Sequence, residues 1–421
     1  MKKTVYILTI FIMISFSLSW AQEVSLTLDE AAALALRDNR DILLKAEEAQ
    51  KAKSKIAEAK AALFPSLTFT GSWTNTMGYY NKDLAQASTQ TTLKQYLYTG
   101  RKTFNSIQYN EYLAAIAAAI LDKTKQEIIQ SVKKAFYTLL LAQHYADLNR
   151  GILANTKEHL DYLQARFQSG QASESEIFNI KSSLSSIEQA HGVSLSQVES
   201  AQELLNNLLY LDKEVRVKPT GDFDYEPKDM AYDEAFLKAM RQRPEIRQYE
   251  LQEKSAQKLI EIAKADNRPS IYASWDYYSR SHSISSTANT RNWNDHNIIG
   301  VTFSWPIFDG WAAKAKVEQA VVDLKEAKLT REKTIQDIAL ELKNAYLSLQ
   351  NAINKIKAIE QDIQVYKNNL SEIRQKHQGG IASSLDLQDA GLKYNISLFN
   401  KTQAGFDYSI ARVNFDKATG G

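Results

Sequence analysis

Cysteine is absent from all 421 residues, which removes disulfides, thiolate metal sites, catalytic thiols and any lipid carried on an N-terminal cysteine. Proline is scarce, six in the chain, so very long stretches meet no helix breaker. Neither sign of charge dominates, with 51 Lys and Arg against 49 Asp and Glu. A balanced chain lacks the basic face that nucleic-acid phosphates demand, so no nucleic-acid partner is expected. Outside residues 1–21 no apolar run approaches the roughly twenty residues of a spanning helix. The best is LAAIAAAIL at 113–121. Glycine-rich phosphate loops, nucleophile elbows and pocket-like carboxylate pairs are missing as well, so neither an enzyme nor a cofactor is expected. The six histidines (His144, His159, His191, His282, His296 and His377) are scattered without metal-ligand spacing and read as surface or loop residues.

What is present begins with MKKTVYILTIFIMISFSLSWA, residues 1–21. Two lysines, an apolar run and a Ser19-x-Ala21 end read as a secretory signal peptide cleaved after Ala21. Lys2 and Lys3 are its only charges, so the exported remainder is neutral, 49 against 49.

The rest is written twice. An offset of 204 carries LDEAAALALR (28–37) to YDEAFLKAMR (232–241) and Pro65-Ser66 to Pro269-Ser270. An offset of 210 then carries YLYTGRK (96–102) to PIFDGWA (306–312) and RFQSGQAS (166–173) to KHQGGIAS (376–383). The six added residues belong in the Ser/Asn-rich loop 279–296. Each repeat, 22–210 and 231–421, reads as helix, strand, strand, very long helix, tight turn and helix, with 211–230 as the linker. Expected elements are a first helix over about 28–62 and long helices over 101–168 and 311–378, each near 100 Å if continuous. Helices over 173–209 and 383–417 return from the tip turns 168–173 and 378–383, where Gly170 and Gly380 supply left-handed caps.

Strands are expected at about 65–76, 89–98, 269–279 and 296–307. Leu67, Phe69, Gly71 and Trp73 alternate with Ser66, Thr68, Thr70 and Ser72; Ile299, Val301, Phe303 and Trp305 alternate with Ile298, Gly300, Thr302 and Ser304. Such alternation suits either a half-buried soluble sheet or a membrane barrel that is apolar outside and polar inside. Every tryptophan beyond Trp20 lies in or beside these segments, as an interfacial aromatic belt would. Phe69, Trp73, Trp275, Val301, Phe303 and Trp305 are therefore assigned to the lipid face or its belt. Gln95 fits less well, sharing the face of Leu93 and Leu97. Four strands cannot close a barrel, and lipid forbids an open edge, so copies must combine. Two copies would fill their interior with side chains, whereas three leave room for water.

In ALFPSL, YTG, FDG, the two glycine turns and above all GGIASSLDLQDAGLKYNISLFNKTQAGFDYSIARVNF (379–415), the chain resembles the TolC-like outer-membrane efflux family over essentially its whole exported length. The resemblance implies a mainly α fold with a membrane β-barrel: a homotrimer whose 12-stranded barrel lies in outer-membrane lipid and continues into an α-helical periplasmic tunnel. It implies a passive export duct working with a periplasmic adaptor (membrane fusion) protein and an inner-membrane pump. The same fold serves type I protein secretion, and a non-conducting periplasmic coiled-coil adaptor or tether is the reading from another class.

By the same resemblance the tips Gly170, Gln171, Ala172, Ser173, Gly380, Ile381, Ala382 and Ser383 receive the adaptor. Asp386 and Asp389 share one helix face. By themselves they fit favourable charges at a helix start; the resemblance makes them a pore constriction. The family's tyrosine and arginine beside the second tip are here His377 and Ala382, a departure in the closing network.

Overall fold

The computed structural model describes residues 23–79, 82–212, 214–223, 225, 230–283 and 293–421; the expected signal peptide lies outside them. The chain is mainly helical. It runs β1 (Glu23–Leu26), α1 (Leu28–Asp38), α2 (Arg40–Ala61), β2 (Ser66–Tyr79), β3 (Lys82–Tyr98), α3 (Lys102–Gln168) and α4 (Glu174–Leu209). It continues with β4 (Arg216–Pro219), α5 (Tyr232–Gln242), α6 (Pro244–Ala265), β5 (Ser270–Ser283), β6 (Trp293–Ser304), α7 (Ala312–Gln378) and α8 (Ser384–Ala418). Two compact units form. One holds the chain up to Asn39 with Ile128–Pro227 and Asn351–Val413; the other holds Arg40–Glu127, Lys228–Gln350 and Asn414–Gly421.

In the first unit Thr27 and Glu30 close a capping box that starts α1. Ala31 and Ala35 are fully buried, and their small side chains admit Val132, Phe136 and Leu139 of α3 with Leu205 and Leu209 of α4. Val217 joins this core from β4, which pairs in parallel with β1 from Glu23 opposite Arg216 to Leu26 opposite Pro219. The segment expected only as a linker is thus partly a strand. Four residues are too few to show a period, and the partner that orders them is remote in sequence. Farther along, Phe223 packs on Tyr137, His144 and Phe406 with ring centroids 6.1, 5.5 and 6.4 Å away. A Cβ on Gly405 would come within 2.8 Å of the Phe223 Cβ, so a glycine lets this segment lie flat on α8.

The single helix expected over 28–62 is two. Asn39 is extended (ψ 125°) between α1 and α2, and its buried amide donates to the Leu208 carbonyl at 3.1 Å. In the second unit Arg243 is extended between α5 and α6, where the following Pro244 disfavours helical geometry. The Arg243 guanidinium, 2% exposed, donates to Glu341 at 2.6 Å and Glu245 at 3.0 Å, and Lys417 reaches Glu341 at 2.6 Å. Burial opposes ionisation of Glu245, but the Arg243 bonds outweigh it and hold that carboxyl below the usual range.

The antiparallel sheet has the order β2-β3-β5-β6, with Ser66 opposite Lys94, Lys94 opposite Ser274, and Ser270 opposite Ser304. Among the described residues the outer edges of β2 and β6 are unpaired. β3 begins at Lys82 rather than near 89, because β2 pairs with its weakly β-prone early residues from Lys82 and β5 from Ala85. β5 reaches Ser283 and β6 starts at Trp293, so both ends of the expected loop over 279–296 are strand and His296 belongs to β6; residues 284–292 lie outside the described residues. The expected His282 of that loop falls within β5. β6 ends at Ser304 and not 307; Pro306 has no N–H to donate to a ladder.

Candidate functional site

The sheet has two unlike faces. Pairing places Leu67, Leu93, Trp275 and Ile299 in one row, Ile271 beside Phe303, and Ala273 beside Val301. Phe69 and Trp73 fall on the same face through Thr91 and Ala87. Phe69, Trp73, Val301 and Phe303 are exposed, as is Trp275 to a lesser degree. From Leu67 to Trp73 the apolar band climbs roughly 20 Å at about 3.3 Å per residue. Trp305 lies one residue beyond β6, and its indole N–H donates to the Asn267 carbonyl at 3.3 Å. Gln95 resolves its misfit locally: its amide donates to the carbonyls of Leu63 at 3.1 Å and Tyr96 at 2.8 Å.

The opposite face is hydrogen-bonded and charged. Lys94 Nζ sits 3.9 Å from the Tyr272 ring centroid and 4.7 Å from that of Tyr96. Asp276 accepts from Thr92, from Gln90 Nε2 at 3.1 Å and from Ser274 at 3.1 Å. Tyr278 stacks on His296 with centroids 5.0 Å apart. Period-two alternation made this face polar, but only the pairing of β3 with β5 brings Lys94 to Tyr272 and Thr92 to Asp276.

The expected tips are tight helix reversals in the first unit. Gly170 has φ 75°, its N–H donates to Phe167 at 2.9 Å, and Gln171 N–H donates to Arg166 at 2.8 Å. Gly380 has φ 76°, donating to His377 at 3.0 Å, while Ile381 N–H donates to Lys376 at 2.8 Å. Both are six-to-one caps in which glycine supplies the left-handed residue. Gln171 with Ala172, and Ile381 with Ala382, form the short links to the capping serines Ser173 and Ser383. Ser173 closes a box with Glu176, whose Oε2 accepts from the Ser173 N–H at 2.7 Å.

Asp386 occupies the matching place in α8. Its carboxylate accepts from the Ser383 hydroxyl at 2.6 Å and the Ser383 N–H at 2.9 Å. Those bonds hold the Asp386 carboxyl below its ordinary range. Asp389, one turn on, pairs with Lys393 at 2.7 Å and raises the lysine's pKa. Both carboxylates are exposed on the same helix. A third cluster was not foreseen: Asp266 accepts from Lys102 Nζ at 2.7 Å and Lys316 Nζ at 2.8 Å, joining the end of α6 to the starts of α3 and α7. No sequence period could mark it, because its members are far apart in the chain. Among the described residues no group of three or more His, Asp or Glu could hold a metal, and no helix is long and apolar enough to cross a membrane.

This fold, with long helices and a two-faced sheet, is similar to that of solved outer-membrane channels. The Campylobacter jejuni CmeC outer membrane channel superposes with a TM-score of 0.78 over 93% of this chain and 85% of that one, at 17% identity. Outer membrane protein VceC of Vibrio cholerae superposes with a TM-score of 0.77 over 94% and 96%, at 16% identity. The sequence model of the outer membrane efflux protein family matches residues 31–209 and 237–421, and the chain belongs to that family. It is 22% identical to outer membrane protein TolC of Escherichia coli over 402 residues, 91% of this chain and 80% of the relative. It is equally identical, over 395 residues, to cation efflux system protein CusC of Escherichia coli, 90% of this chain and 81% of that protein. The protein is an outer-membrane efflux protein.

Proposed function

We propose that three copies close a single 12-stranded barrel in the outer membrane, each supplying β2, β3, β5 and β6. The observation that carries this is a sheet with one apolar face and two unpaired edges in a chain of this family. Lipid forbids such edges, and closure between copies removes them. The apolar face meets lipid, and the face holding Lys94 and Asp276 lines a watery lumen. The halves 22–210 and 231–421 act as structural repeats, and their long helices build the periplasmic tunnel that continues the barrel.

The duct is passive and performs no chemistry of its own. It receives small molecules from an inner-membrane pump through a periplasmic adaptor, which seats on Gly170–Ser173 and Gly380–Ser383. Asp386 and Asp389, set around the shared axis, narrow the periplasmic mouth. Efflux is favoured over protein secretion because the family and the relative CusC both carry efflux in their descriptions. Light scattering of detergent-extracted protein tests the assembly. The expected mass, after correction for detergent, is three chains; a stable single chain in plain buffer overturns the reading.

A further inference from the structure

Building on the three-copy reading, we infer that neighbouring copies join in one specific register, with Ser304 of β6 opposite Thr70 in β2 of the next copy. Phe303 then faces Gly71, and Val301 faces Trp73. The template is the seam already present inside each chain. Ser66 lies opposite Lys94 in one hairpin and Ser270 opposite Ser304 in the other. The offsets 204 and 210 therefore carry β2 onto β5 and β3 onto β6 residue for residue at those pairs. Within the chain β3 meets β5 through Lys94–Ser274, Leu93–Trp275 and Thr91–Tyr277. At the junction between copies β6 stands in the place of β3, and β2 of the next copy in the place of β5. The same offsets convert those three pairs into Ser304–Thr70, Phe303–Gly71 and Val301–Trp73.

The side chains suit this register. The ring of Phe303 meets a glycine, which leaves it room, and the smaller Val301 meets Trp73. On the polar face Ser304 meets Thr70 and Thr302 meets Ser72, hydroxyl pairs that can bond across strands. A one-residue slip would turn Phe303 toward the polar face. A two-residue slip would set the bulky Phe303 against Trp73 or Phe69 and take the glycine away from the ring that it leaves room for.

Below the strands the inner seam is closed and the outer one open. Arg268 Nη1 donates to the Gly100 carbonyl at 3.0 Å, and a Cβ on Gly100 would stand 2.6 Å from the Arg268 Cβ. The offsets carry Gly100 to Gly310 and Arg268 to Phe64. Gly310 has nothing within 4 Å of its would-be Cβ, and Phe64 is 69% exposed. Phe64 has no donor with which to repeat the Arg268 bond, but its exposed ring can fill the open space beside Gly310 of the neighbouring copy. Leu44 precedes the end of α2 at Ala61 by as many residues as Leu329 follows the start of α7 at Ala312. These leucines, 61% and 64% exposed, stand level once α2 of the next copy runs beside α7.

The absence of cysteine makes the test clean. Opposite residues in antiparallel strands lie about 4.5–5.5 Å apart between Cα atoms, within the roughly 4.4–6.8 Å that a disulfide spans. Full-length chains carrying Ser304→Cys with Thr70→Cys, Thr68→Cys or Ser72→Cys are oxidised in membranes and run on denaturing gels. The Thr70 pair is expected to shift the single-chain band to a covalent three-chain band, reversed by reductant, while the other two remain at single-chain mass. Lys94→Cys with Ser274→Cys, closing within one chain, is the geometric control. Preferential linkage at Thr68 or Ser72 overturns the register but leaves three copies standing. Absence of linkage at Thr70 in protein that still scatters as three chains overturns the seam. A single-chain mass in detergent overturns the reading beneath it.

A second measurement does not depend on thiols. Gly71→Phe alone should lower the heat stability of the assembly, and adding Phe303→Gly should restore it. Additive losses from the two changes overturn the pairing.

Discussion

The Ser383 hydroxyl donates to the Asp386 carboxylate at 2.6 Å, and the Asp386 N–H donates to that hydroxyl at 3.2 Å. The carboxylate proposed to narrow the pore thus also closes the capping box that Ser383 opens, and the two roles can be separated by substitution. Ser383→Ala removes the cap but keeps the charge, so it should cost about 1 kcal/mol of stability and leave conductance unchanged. Asp386→Ala with Asp389→Ala should raise conductance and abolish block by multivalent cations. Planar-bilayer recordings decide: identical current and block in the double variant leave only the capping role.

Acid stability should depend on Asp266. Lys102 and Lys316 donate to its carboxylate and hold its pKa below the ordinary value, against a smaller effect of burial. A carboxyl with a lowered folded pKa contributes stability that is full above its unfolded pKa, about 3.9. That contribution is lost as pH falls through the folded value. Thermal midpoints of the wild type should therefore drop below about pH 4, and Asp266→Asn should be less stable at neutral pH with a flatter acid limb. Parallel curves for the two proteins would show that the clasp contributes nothing.

The two faces of β6 should respond oppositely to charge. Phe303→Arg or Val301→Arg should cost assembly roughly 2–4 kcal/mol if the position lies near the bilayer midplane. Thr302→Lys, on the other face, should be tolerated. Heat resistance of the assembled protein on denaturing gels reads both, and equal losses on the two faces would refute the assignment of lipid and lumen.

At the tips, φ of 75° and 76° at Gly170 and Gly380 excludes bulky residues without strain. Replacing each by Val should cost on the order of 1–2 kcal/mol locally and abolish efflux while membrane insertion persists. Asn, which tolerates the left-handed conformation, should retain much of the activity. Normal export by cells carrying both Val substitutions would remove the tips from the docking site.

Much of this was readable from the residues alone. Uninterrupted runs of Ala, Leu, Lys and Glu without proline make α3 and α7 helical through local propensity, and Gly170 and Gly380 mark where they reverse. Alternation in SLTFTGSW and IIGVTFS separates the two faces of the sheet because successive strand residues point to opposite sides. Asp386 and Asp389 were legible as favourable charges at a helix start, but the bonds from Ser383 to Asp386 emerged only with the folded turn.

Tertiary structure decided what local pattern left marginal. The segment 82–88 becomes strand because β2 pairs with it from Lys82 and β5 joins on the other side from Ala85. Glu23–Leu26 and Arg216–Pro219 are ordered by one another, nearly two hundred residues apart in the chain. The break at Asn39 holds because its side chain finds the Leu208 carbonyl, and the lysine clasp on Asp266 exists because three helix ends converge. Periodicity and propensity are properties of neighbours in sequence, so they fix elements and faces. Partners remote in sequence contribute the hydrogen bonds and charges that no local pattern encodes, so only the folded chain decides them.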